Sequence, residues 1–162
     1  MRTHRRRENY DVRHEKLDFV GEFVTERLPH TAATMTVITY RDLDVWKQGM
    51  DLVEACYKLT ATFPKSELYG LTSQLRRAAV SIPANVAEGH CRKTTKAYRH
   101  HVSLAMGSHG ELETCLELGS RLGFLSQNDK GRVLKVCDAV GRLLSGLHRA
   151  LVRKIGSTHP SP

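Results

Sequence analysis

Positive side chains recur in this chain at intervals that a helix would turn to one side. Between residues 129 and 154, seven cations (Lys130, Arg132, Lys135, Arg142, Arg149, Arg153 and Lys154) stand against two acids, Asp129 and Asp138. Lys135, Arg142 and Arg149 are spaced by seven. On a helix that spacing sets a charge every ~10.5 Å along one face, an interval of a few phosphates. A second group, Arg92, Lys93, Lys96 and Arg99, falls between His90 and His101 with no acid among them, and Tyr98 lies in their midst as a possible stacking ring. Such residues hold a phosphate backbone by charge and read little of its sequence. A solvated face that only keeps a basic protein soluble uses the same residues, so both readings stand.

The arrangements that catalysis needs are missing. No glutamate has a histidine three residues on, so the paired motifs of a di-iron bundle are absent. There is no glycine-rich phosphate loop ending in Lys-Ser or Lys-Thr, no GxSxG and no HExxH. Glu88, His90 and Cys91 form the densest remaining cluster, which is thin support for a metal or a nucleophile. The expectation is therefore a non-enzymatic protein with no catalytic residues, no metal ligands and no cofactor. Cys56, Cys91, Cys115 and Cys137 are isolated in the sequence and read as mostly buried, apolar thiols.

Stepping from these residues to what must carry them, the composition points to helices. The chain is 40% hydrophobic but only 6% aromatic, with 5 prolines in 162 residues. No apolar run approaches the roughly 20 residues of a membrane span. The charged N-terminus lacks a secretory signal's apolar segment, so a cytoplasmic location is expected. Nearly all of the formal charge of +8 lies from Met35 onward, because residues 1–34 hold seven cations and six acids. That basic balance suits an anionic partner.

Residues 1–36 show no sustained period and are expected to be a disordered extension, with Met35 a candidate true start. Residues 37–155 are expected to be a four-helix bundle and 156–162 a loose tail. The first helix, residues 41–60, has one apolar line at Leu43, Trp46, Met50, Val53 and Tyr57 and a second at Val45, Leu52, Cys56 and Leu59. So wide a face suggests burial against another subunit as well as the core. The second helix is expected to begin near Ser66 as N-cap and to turn Leu68, Leu71, Leu75, Ala78, Ile82 and Val86 inward, with a kink at Pro83. Thr94 or Thr95 caps the third, which buries Val102, Ala105, Leu112 and Leu116 and stops at Gly123. After a loop near residues 126–129, the fourth carries the seam Val133, Cys137, Val140, Leu144, Leu147 and Leu151. Long helices with short connections predict an all-α, antiparallel up-down-up-down bundle.

Along the second helix, Gln74, Arg77, Ser81, Asn85 and Glu88 form a polar stripe. Short Ser81 and Asn85 beside Pro83 suit a structural, partly buried hydrogen-bond network more than catalysis.

Three blocks carry a family resemblance: Tyr40-Arg41-Asp42-Leu43-Asp44-Val45-Trp46-Lys47, then Phe63-Pro64-Lys65-Ser66-Glu67-Leu68-Tyr69-Gly70-Leu71-Thr72-Ser73-Gln74-Leu75, then Arg76-Arg77-Ala78-Ala79-Val80-Ser81-Ile82-Pro83-Ala84-Asn85-Val86-Ala87-Glu88-Gly89. With these the chain resembles the four-helix bundle proteins encoded by intervening sequences in bacterial 23S rRNA. A fainter echo spans residues 105–113, where the family places an apolar residue at His109. The resemblance implies a bacterial homo-oligomer, a pentameric ring, and a related branch that assists reverse transcriptases of diversity-generating retroelements. Two partner classes follow: RNA or DNA held by the basic surface, or a protein such as a reverse transcriptase for which the bundle is a scaffold. Acids on the first and third helices, including Asp51, Glu54, Glu111 and Glu117, would register a head-to-tail ring against the cations.

Overall fold

The computed structural model describes residues 39–157. The expectations for residues 1–36, for Met35 as a start and for residues 158–162 lie outside the described residues. Four helices and no strand make up what is described: α1 (Asp44–Thr60), α2 (Leu71–His90), α3 (Thr95–Arg121) and α4 (Gln127–Ser157).

Each helix end has a local cause. A short 3₁₀ turn, Tyr40–Asp42, leads into α1, and the Asp42 carboxylate accepts the Thr39 N–H at 2.9 Å. Tyr40 then sets its ring edge-on to Trp46 and His90, which fastens the start of α1 to the end of α2. Thr94 caps α3 by accepting the Ala97 N–H at 3.2 Å. Gly123 follows the end of α3 with a φ of 74°, a conformation in which any Cβ is strained. Ser126 accepts the Asp129 N–H at 3.1 Å and donates to its carboxylate at 2.6 Å, so α4 begins inside the segment expected to be loop. At its other end α4 runs to Ser157, taking Gly156 and Ser157 out of the expected tail.

Packing joins α1 to α2, α2 to α3, α3 to α4 and α4 back to α1, and among the described residues no helix backbones come close across either diagonal. Pairs that cross the first three of these seams run in opposite chain directions. Thr60 meets Arg76 while Gly49 meets Pro83; Ser81 meets Ser108 while Asn85 meets His101; His109 meets Cys137 while Glu117 meets Lys130. The centre is closed by Leu52, Leu75, Ile82, Leu112, Leu116 and Leu144, with Cys56 and Cys137 among them. Burying a side chain of leucine size stabilises the fold by about 1.5–3 kcal/mol.

On α1 the second of the two apolar lines faces inward, Val45, Leu52 and Cys56 joined by Gly49 and Thr60, whereas Met50 and Tyr57 on the first are 44% and 46% exposed. Small residues decide it. A Cβ on Gly49 would lie 3.3 Å from the Cβ of Pro83, so the bare glycine lets α1 approach buried Pro83 on α2. That contact seats a proline whose missing N–H would otherwise be costly in mid-helix, and α2 continues through it unbroken. The start of α2 also moves. Ser66 sits in a separate 3₁₀ turn, Lys65–Glu67, and the Glu67 carboxylate reaches forward to accept the Leu71 N–H at 3.0 Å. Leu68 is consequently half exposed instead of part of the core.

Candidate nucleic-acid interface

The turn between α2 and α3 is four residues long and carries Arg92 and Lys93, with Lys96 and Arg99 on the first turns of α3, all exposed. A close seam holds this turn in place. Gly89 gives its Cβ position to neighbours: an atom there would lie 2.6 Å from Tyr98 Cδ2 and 2.8 Å from His101 Cβ. Tyr98 is thereby drawn into the seam, edge-on to His90 at 5.9 Å. Its hydroxyl is buried without a hydrogen-bond partner, and burial pushes its pKa up to about 12. The ring expected to stack on a base is thus a packing residue.

Arg92 is also less free than its sequence neighbourhood implies. Its guanidinium lies 3.7 Å from the Glu88 carboxylate, and its Nε donates to His101 Nε2 at 3.3 Å. No acid lies between His90 and His101, but helix geometry brings one back from the preceding turn. Lys93, Lys96 and Arg99 have no such neighbour among the described ion pairs.

Lys135, Arg142 and Arg149 are exposed along α4 as their spacing predicts. They do not share one environment. The register that pairs Glu117 with Lys130 and His109 with Cys137 sets Arg149 level with the first turns of α3. Arg142 and Arg149 line a groove of about 610 Å³ between α3 and α4, which Asp138 also lines. Lys135 stands outside that groove, toward the opposite end of the bundle. Lys130 is taken up by Glu117, which also holds Arg121 at 2.7 Å. Hydrogen bonds from Lys130 and Arg121 lower the Glu117 pKa to about 2.

The polar stripe on α2 divides in the same way. Asn85 Nδ2 donates to Ser81 at 2.9 Å (carbonyl) and 3.0 Å (Oγ), Ser108 donates to Ser81 Oγ at 2.8 Å, and His101 Nδ1 lies 3.3 Å from Asn85 Oδ1. Glu88 joins through His101 at 3.5 Å. Gln74 and Arg77, in contrast, are exposed and stand apart from this network. Short side chains let α2 and α3 close over hydrogen bonds, whereas the longer Gln74 and Arg77 extend into solvent. His101 and Ser108 complete the network from α3. A sequence reading confined to one helix at a time could not find them.

Residues 41–146 match the model of a family described as 23S rRNA-intervening sequence protein. The chain belongs to that family. Its fold agrees with the crystal structure of a protein of unknown function, from the S23 ribosomal protein family of Bacteroides thetaiotaomicron VPI-5482. The two superpose with a TM-score of 0.58 at 18% identity, over 64% of this chain and 97% of that one. At that identity the likeness is one of fold. No curated protein matches the chain. Family membership thus accounts for the bundle and for the three sequence blocks, of which residues 76–89 supply both the buried Pro83 and most of the α2–α3 network. Among the described residues of this 23S rRNA-intervening sequence protein, no helix is long and apolar enough to cross a membrane.

Proposed function

We propose that this chain is a non-enzymatic, cytoplasmic, self-associating bundle that binds the phosphate backbone of structured RNA or DNA at its α2–α3 end, in connection with 23S rRNA intervening sequences. The observation that carries this reading is a shared end. Lys93 from the turn, Lys96 and Arg99 from the start of α3, and Arg149 from α4 lie toward one end of the bundle on exposed positions without paired acids. Four cations on a rigid end neutralise several phosphates at once, and the released counterions supply the affinity. Nothing in that surface offers a base-reading pocket, so little sequence preference is expected.

The test is binding of the full chain to a structured rRNA fragment across a salt series, beside a Lys93→Glu/Lys96→Glu/Arg149→Glu variant. Each lost phosphate contact should lower the slope of log affinity against log salt by roughly 0.7–0.9. Absence of binding at low salt, or a slope that the triple variant leaves unchanged, rejects the reading.

A second reading rests on a different surface. Tyr57, Leu68, Tyr69, Val80 and the stems of Arg76 and Arg77 line a groove of about 650 Å³ on the α1–α2 side, and Tyr69 is 92% exposed. Aromatic and arginine side chains in an apolar setting suit protein contacts. This surface supports self-association, as in a pentameric ring, or a scaffold role toward a protein such as a reverse transcriptase. Light scattering of the full chain, with and without Tyr69→Glu, separates self-association from a monomeric scaffold.

A further inference from the structure

The seam between α3 and α4 holds a cluster that nucleic-acid binding does not use. His109 and, one turn later, Glu113 on α3 meet Cys137 on α4, bringing a ring nitrogen, a carboxylate oxygen and a thiol within 4.8 Å of one another. The ring fits because residue 141 is glycine. A Cβ there would lie 2.8 Å from His109 Nε2 and 2.9 Å from its Cε1. Cys137 is fully buried, while 43% of the Glu113 side chain is exposed. His109 also lines the groove of about 610 Å³, which gives small ions a way in.

A neutral His109 ring cannot satisfy both of its polar neighbours. Nε2 lies 2.8 Å from the Cys137 carbonyl oxygen, so in the neutral ring the proton belongs on Nε2, where it is donated. Nδ1 then presents a bare lone pair to a Glu113 carboxylate oxygen at 3.6 Å. Two acceptors face each other with no hydrogen between them, and the other tautomer only moves the conflict to the carbonyl. A cation at Nδ1 resolves it, either a proton or a metal ion. The Cys137 sulfur favours the metal, because it adds a soft third donor within 4.8 Å of the other two.

We propose that His109, Glu113 and Cys137 form a binding site for a divalent cation of the zinc class, with its remaining position open to the α3–α4 groove. Nitrogen, sulfur and carboxylate oxygen are the donors that zinc takes, at about 2.0–2.3 Å. The donors must close by about an ångström, and the half-exposed Glu113 can supply most of that movement. The Nε2–H bond to a backbone carbonyl is a usual way to orient a metal-bound histidine. On binding, the Cys137 S–H bond breaks, its proton passes to solvent, and the sulfur electron pair forms the bond to the metal. Burial first, with Glu113 and other neighbours adding, pushes that thiol to about 12, so the ion itself must drive the deprotonation. Once bound, it ties α3 to α4 and stabilises the folded chain by mass action.

The experiment titrates cobalt(II) into the full chain carrying Cys91→Ser, which removes the exposed thiol, and then competes it with zinc. A thiolate-to-cobalt charge-transfer band that saturates at one ion per chain and is displaced by zinc is expected, together with a zinc-dependent rise in melting temperature. Glu113→Gln, which removes a ligand, should weaken zinc binding by at least the roughly 10–100-fold that loss of a partner hydrogen-bonded to a ligand costs. Cys137→Ala should abolish the charge-transfer band. Because that change also opens a small cavity, His109→Leu, which keeps the seam filled, provides an independent loss. The proposal is overturned by absence of the band at saturating cobalt, by its persistence in Cys137→Ala, or by a melting temperature indifferent to zinc. In any of these cases the cluster is a packing contact and not a metal site.

Discussion

Replacing Gly89 by alanine tests how the basic turn is held. A Cβ at that position would lie 2.6 Å from Tyr98 Cδ2, 2.8 Å from His101 Cβ and 3.2 Å from Tyr98 Cε2, against an ordinary contact distance of 3.4–4 Å. Tyr98 cannot simply rotate away, because His90 packs against its ring and its hydroxyl is already buried. The helices must therefore separate by several tenths of an ångström, straining the His101 contacts to Asn85 and Glu88. Overpacking of this kind costs about 1–3 kcal/mol. Alanine regains at most about 1 kcal/mol of helix propensity. The expected net effect is a loss of up to about 2 kcal/mol, read by urea unfolding followed by circular dichroism. Gly107→Ala is the control, since a Cβ there meets nothing within 4 Å, and it should stabilise by about 0.5–1 kcal/mol. A Gly89→Ala variant stabilised as much as Gly107→Ala would refute the argument that this seam depends on a missing side chain.

Two further predictions concern titratable groups. Glu117 has its folded pKa lowered to about 2 from an ordinary 4.5 by hydrogen bonds from Lys130 and Arg121. Its stabilising contribution is therefore complete above the ordinary value and is lost as pH falls from there through the folded value. The melting-temperature gap between parent and Glu117→Gln should hold at pH 5–7 and shrink between about pH 4.5 and 2, and a gap independent of pH would contradict the assignment. For the cysteines, burial holds Cys56 and Cys137 near 12 and also raises Cys115, while Cys91 is exposed. Alkylation of the native, metal-free chain at neutral pH should label Cys91 rapidly and the other three only on unfolding, as peptide mass analysis would show.

Much of the bundle is legible from single-helix periodicity. The α3 cap at Thr94, the Gly123 stop and the α4 seam follow from local rules, because each depends on residues within a turn of one another. The inward face of α1 follows only in part. Val45, Leu52 and Cys56 stand in one of its two apolar lines. Gly49 carries no hydrophobic signal, yet it decides the packing because its small size permits close approach. The α2 start escaped for a related reason. Glu67 supplies the cap from outside the helix, beyond a 3₁₀ turn that periodicity does not distinguish from helix. Candidate functional residues follow the same division. Exposed cations are visible as composition, but their grouping is not: Arg92 is neutralised by Glu88 one turn earlier, and Arg149 reaches the basic end only through the α3–α4 register. His109 and Cys137 are 28 residues apart, so their meeting is a property of topology.

That division separates two kinds of effect on binding. The turn is positioned by buried or half-buried residues that touch no ligand: Gly89, Tyr98, His101, Asn85, Ser81 and Ser108. The charges it presents, Lys93, Lys96 and Arg99, lie outside this packing and contribute little to it. Charge reversal there should change nucleic-acid affinity and its salt slope while leaving unfolding almost unchanged. Loosening the seam should instead lower stability and, by letting the turn shift relative to α4, spread the cations apart. Affinity would then fall with little change in salt slope, because the same charges remain available to meet phosphates one at a time. Measuring slope and stability on the same variants therefore distinguishes a phosphate-binding end, in which cation number and cation placement are separately adjustable, from a basic surface that merely keeps the bundle in solution.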